Sequence, residues 1–137
     1  EHESGTVYPT NTIARATYRT PAGKPVPPHH WAVYDATLKI PPGKVTTYKD
    51  LCTHIGAGSP RSVGNALREN PFSPFVPCHR VVTTGLFVGG FRGAWTDMKS
   101  PGAASREKLR MLALEGVRFG TGGKLVEKES VWRFEDV

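Results

Sequence analysis

The chain has 137 residues, of which 38% are hydrophobic and 22% charged, and that composition predicts one soluble globular domain large enough to bury its own core. No stretch is long and apolar enough to cross a membrane, and no basic patch followed by an apolar run reads as a signal peptide. The net charge of +6, with a pI near 9.6, suits either a nucleic-acid partner, whose condensed counterions cationic side chains release, or plain solubility.

Residues 1–28 hold Pro9, Pro21, Pro25, Pro27 and Pro28, with Gly5 and Gly23 between them. They read as an irregular N-terminal arm over the core, with one short strand at 13–18. The remainder, 29–137, reads as the domain proper. Trp31, Tyr34 and Leu38 recur at i, i+3 and i+7 and predict a helix over 30–40, ended by Pro41-Pro42-Gly43. Thr46 or Thr47 caps a second helix through Ile55, with Leu51 and Ile55 on one face and Gly56 as its stop. Ser59 then caps and Pro60 opens a third helix, which runs to about Glu69 and stops at Asn70-Pro71. Two short helices joined by a glycine-containing turn read as a helix-turn-helix.

Residues 72–82 read as an extended loop leading into a short strand, and 83–95 as a glycine-rich loop. A helix follows over 105–114, with Leu109, Leu112 and Ala113 inward and Gly116 as its stop. Residues 117–134 read as a small β-ribbon around Gly120-Thr121-Gly122-Gly123. The expected fold class is mixed α/β and mainly helical: a winged-helix-like helix-turn-helix domain with that ribbon.

Cys52 and Cys78 are the two cysteines. They make no disulfide framework and suit a reducing interior, cytoplasm or nucleus. With the histidines scattered, no zinc-site spacing is present, and neither metal nor cofactor is expected. Cys78 lies in Pro77-Cys78-His79-Arg80-Val81-Val82. A single cysteine is most often a buried core residue, and Cys52 is read that way. A cysteine beside a histidine also has the makings of a nucleophile with its base.

The order and distances of several blocks carry more weight. They are Gly43-Lys44-Val45-Thr46-Thr47-Tyr48, Arg61-Ser62-Val63-Gly64-Asn65-Ala66-Leu67, Asn70-Pro71 and the cysteine block. Together they resemble the O6-alkylguanine-DNA alkyltransferase family over residues 30–119. The resemblance implies a protein that binds duplex DNA containing O6-alkylguanine in the minor groove, flips the damaged base and moves its alkyl group irreversibly to Cys78. It implies that His79 is the base, acting through a water, that Glu115 orients and charge-supports His79, and that Tyr48 donates to guanine N3. Arg61 would fill the gap left by the flipped base. Gly64 would let its helix approach the DNA backbone, Arg68 would share the Arg61 face, and Asn70 would tie that helix to the active-site loop. Glu115 stands out independently, because an anion at a helix C-terminus meets the negative end of the macrodipole.

The chain departs from the family pattern in the glycine loop, where Phe91 replaces a tyrosine, Arg92 a small residue and Ala94 a glycine. Arg92 could enter the alkyl pocket, contact a phosphate or lower the Cys78 pKa. Residues 95–104 lengthen the path to Glu115. The chain's length and its end, Glu115-Gly116-Val117 and then Trp132, resemble the alkyltransferase-like sensors, which carry tryptophan or another residue at the Cys78 position. A non-catalytic lesion sensor that hands damage to excision-repair proteins is therefore the alternative. DNA strand cleavage on the same scaffold ranks lower, since no acidic metal cluster is visible, and a plain DNA-packing protein leaves the cysteine block unexplained. The protein is expected to act as a monomer away from membranes.

Overall fold

The computed structural model describes residues 8–89 and 103–134, the side chains of 103–105 excepted. Phe91, Arg92 and Ala94, and the residues 95–102 beyond them, lie outside the described residues.

The strand expected at 13–18 is instead a short helix, α1 (Thr12–Thr17), because the Asn11 side chain accepts the Ala14 amide and caps it. Helix α2 (Pro28–Thr37) begins two residues earlier than expected, with Pro28 in the first turn, where its missing N–H leaves nothing unpaired. Thr47 caps α3 (Tyr48–Ile55) by accepting the Asp50 amide, and Gly56 closes it in the left-handed region at φ 79°. Ser59 and Ser62 form a reciprocal capping box on α4 (Pro60–Arg68). Helices α2, α3 and α4 pack around Tyr34, Leu51, Val63 and Ala66, all nearly inaccessible to solvent. The Tyr34 hydroxyl donates to the Ala66 carbonyl at 2.7 Å and fixes α2 against α4.

Past α4 the chain turns on Asn70, whose amide nitrogen donates to the Val76 carbonyl and whose oxygen accepts the Phe72 amide, each at 2.9 Å. It then makes a single 3₁₀ turn, Cys78–Arg80, and enters β2 (Val81–Val82). Strand β2 runs parallel to β1 (Thr46–Thr47), pairing Thr46 with Val81. Successive strand residues face opposite ways. Val81 accordingly enters the helical core, and Val82 enters a second cluster with Val45, Leu112, Val117 and Leu125. The 3₁₀ turn sits where the two cores meet.

The ribbon expected over 117–134 is reduced to single bridges, Phe119 with Leu125 and Phe87 with Lys124. Helix α5 (Ala103–Leu114) buries Leu112 and leaves Ala113 exposed. Lys108 takes the inward place one turn before Leu112, which corrects the expected inward set. The tail returns to the core through the Trp132 amide, which donates to the Val45 carbonyl at 2.7 Å. None of the described helices is long and apolar enough to cross a membrane.

Candidate active site

Cys78 is 6% exposed and opens the 3₁₀ turn, its sulfur 3.8 Å from Ser73 Oγ. The next residue, His79, is also buried, and its Nε2 lies 2.8 Å from Glu115 Oε2. Burial alone would raise the Glu115 pKa, but donors from Arg80, His79 and the Gly43 amide outweigh it and hold the carboxyl at about 2. An ionised carboxylate only accepts hydrogen bonds, so Nε2 of His79 carries the proton and Nδ1 keeps its lone pair. That Nδ1 is buried and has no hydrogen-bond partner among the described residues. Burial is also the chief reason the His79 pKa falls below its ordinary 6.5, so the ring is neutral at pH 7.

Glu115 follows the last turn of α5, the placement that looked electrostatically unfavourable. Arg80 resolves this. Its Nε and Nη2 grip the two carboxylate oxygens at 3.0 and 2.9 Å, and its Nη1 donates to the Ile40 carbonyl at 2.8 Å. The Gly43 amide adds a fourth donor at 3.2 Å. Gly43 sits at φ 88°, and a Cβ there would lie 3.3 Å from the Glu115 carbonyl oxygen, so a glycine suits both the turn and the approach. The lengthened path through 95–104 does not displace Glu115 from His79.

Tyr48 opens α3 against α4, where a Cβ on Gly64 would stand 3.9 Å from its ring. Burial, with the neighbouring Cys78 adding to it, pushes the Tyr48 phenol up to about 12. The hydroxyl therefore stays protonated, and a donor, across the neutral range. Arg61 and Arg68 are exposed near opposite ends of α4, and neither has an ion-pair partner among the described residues.

The fold thus gathers Cys78, His79, Glu115 and Tyr48, with Asn70 anchoring the loop behind them. Three contributors were not singled out as site residues from sequence. Arg80 lies inside the cysteine block, and Gly43 is both a helix stop and the first residue of the Gly43–Tyr48 block, with no role of its own. Lys108 gave no signal, because a charged residue is not expected on an inward helical stripe. It is fully buried, its Nζ donates to the Val81 carbonyl at 2.8 Å, and burial lowers its pKa to about 7, partly opposed by the proximity of Cys78.

Residues 28–117 match the family model described as the DNA-binding domain of 6-O-methylguanine DNA methyltransferase. The chain belongs to this methyltransferase family. A methylated-DNA–protein-cysteine methyltransferase of Saccharolobus islandicus is 37% identical over 101 residues, which are 74% of this chain and 59% of that protein. The chain therefore spans under two thirds of that methyltransferase relative. Among solved structures, O6-methylguanine-DNA methyltransferase from Pyrococcus kodakaraensis matches with a TM-score of 0.55 and 36% identity, over 67% of this chain and 48% of that one. Atl1 of S. pombe, solved with damaged DNA containing O6-carboxymethylguanine, matches with a TM-score of 0.60 and 28% identity, over 76% of this chain and 94% of Atl1.

Proposed function

We propose that this protein repairs alkylated duplex DNA in a single turnover, moving an alkyl group from guanine O6 to Cys78. The observation that carries the reading is the His79–Glu115 pair, which leaves a basic, buried Nδ1 on the residue next to a buried thiol. The Cys78 thiol gives its proton to His79 through one water, and the imidazolium formed is balanced by ionised Glu115. The thiolate attacks the alkyl carbon in line; the S–C bond forms as the C–O6 bond breaks, and the electron pair leaves on guanine. Tyr48 passes its proton to guanine N3 as the C–O6 bond breaks, so the base departs as a neutral tautomer, and the proton taken up by His79 then returns through water to the phenolate. Arg61 occupies the space of the flipped base, where a planar cation offsets part of an unstacking cost of a few kcal/mol. Arg68 contacts phosphate, Gly64 admits the backbone close to α4, and Asn70 keeps the nucleophile loop tied to that helix. Arg92 is read, like Arg68, as a contact to DNA.

A second reading, a lesion sensor that binds without transferring, is favoured by the match to nearly the whole of Atl1. In that reading the protein hands the damaged site to excision-repair proteins. Intact mass after incubation with a duplex carrying O6-methylguanine separates the two. A gain of one methylene, absent in Cys78→Ala, supports transfer. Tight binding with unchanged mass supports the sensor.

A further inference from the structure

The family match begins at residue 28, yet residues ahead of it reach the loop that carries the nucleophile. Tyr8 and Tyr18 each place a ring 5.1 Å from the ring of Phe72, and Trp31 adds a third at 5.7 Å. Phe72 is 1% exposed and is wired to Cys78 through the backbone. Its carbonyl accepts the Val76 amide at 3.0 Å, and the Val76 carbonyl accepts the Cys78 amide at 2.8 Å.

Ordinary packing of an arm over a core would bury the apolar face of α1. It does not: α1 buries no residue, and Ile13 is 77% exposed. What α1 presents is Arg15. Its guanidinium grips Asp35 of α2 at 2.6 and 3.0 Å, its Nε donates to the Pro9 carbonyl at 2.9 Å, and it lies 4.8 Å over the Trp31 ring. The Tyr8 hydroxyl donates to the same carboxylate at 2.6 Å. One polar knot therefore fastens the aromatic rings against one residue of the nucleophile loop.

We propose that residues 8–18 are a strap that holds the Asn70-to-Cys78 loop in its reactive placement, with Arg15, Tyr8 and Asp35 as its positioning residues. The consequence for rate rests on the alkyl-transfer reading; the consequence for loop order does not. A displacement of about 1 Å at a reacting group lowers a rate by up to ~100-fold, so a loosened strap slows transfer without touching the DNA-binding face.

The test compares wild type with Asp35→Ala and Tyr8→Phe by amide hydrogen exchange, by single-turnover transfer from an O6-methylguanine duplex, and by DNA affinity. Asp35→Ala should speed exchange at the Val76 and Cys78 amides by about tenfold while Val63 and Ala66 in α4 keep wild-type protection. Transfer should slow by about tenfold with DNA affinity held within about twofold. Tyr8→Phe keeps the ring and loses one hydrogen bond, so it should fall between the two. Wild-type exchange at Val76 and Cys78 in Asp35→Ala overturns the strap, and so does an acceleration shared equally by α4, which would mean general destabilisation. Unslowed transfer despite loosened amides overturns its effect on rate. Failure of the wild-type protein to transfer methyl sinks the transferase reading alone, since the exchange comparison still decides the strap.

Discussion

In the proposed mechanism Glu115 carries the negative charge that makes His79 a base, and it sits at the end of a helix that would ordinarily reject it. Four donors compensate, two of them from Arg80 in a bidentate grip. Glu115→Gln keeps the shape and removes the charge. Transfer should slow by about 10²-fold or more with DNA affinity unchanged, and Arg80 left without its counter-charge should cost about 2 kcal/mol in urea unfolding. The pH profile follows from the same residues. His79 accepts a proton only when neutral, so the transfer rate should be level above pH 6.5 and fall on acidification, with its inflection below the ordinary histidine value because burial lowers that pKa. Glu115 stays ionised down to about pH 2. Because its folded pKa lies below the unfolded 4.5, the stability it contributes is present above pH 4.5 and lost as pH falls toward 2. Lys108 acts in the opposite range. Its folded pKa of about 7 lies below the ordinary 10.5, so the unfolded chain holds more protons between those values and stability rises with pH there. The slope should approach ~1.4 kcal/mol per pH unit, and Lys108→Met should flatten it in unfolding measured from pH 7 to 10.

The elements show which parts of the fold a sequence displays. Caps are local chemistry, and Thr47, Gly56, Ser59 and Pro60 marked α3 and α4 to within a residue or two. The segment 12–17 was misread because short runs between prolines satisfy helix and strand patterns alike; the deciding contact is the Asn11 cap. The turn at Gly120–Gly123 was legible and carries a short antiparallel ribbon, with Phe119 bridging Leu125, whereas the two-stranded sheet was not. A ladder needs a partner, and the partner of β1 is β2, brought there by the distant turn at Cys78. The turn between α3 and α4 makes a prediction of its own. Gly58 has φ 82°, and a Cβ there would stand 2.6 Å from the His29 ring and from Ser62 Oγ, both at the foot of α4. Gly58→Ala should lower stability by about 1–3 kcal/mol in thermal or urea unfolding and weaken DNA binding together with it, since the α4 cap shifts.

At the scale of the molecule, length points to a domain with a core of its own, and net charge suits a nucleic-acid partner. The arrangement of two cores meeting at one 3₁₀ turn was not legible, because it depends on Val81 and Val82 facing opposite ways in a two-residue strand. Cys78, His79, Glu115 and Tyr48 were legible because their spacing resembles that of a known family, whereas Lys108 breaks the amphipathic rule that reading relies on. The central claim is that this buried sulfur is the alkyl acceptor. Its most direct test is tandem mass spectrometry of the protein digested after exposure to duplex DNA carrying O6-methylguanine. The account predicts one methyl thioether per chain, on Cys78, with Cys52 unmodified. A methyl on Cys52, or an unmodified Cys78 under saturating DNA, would contradict it.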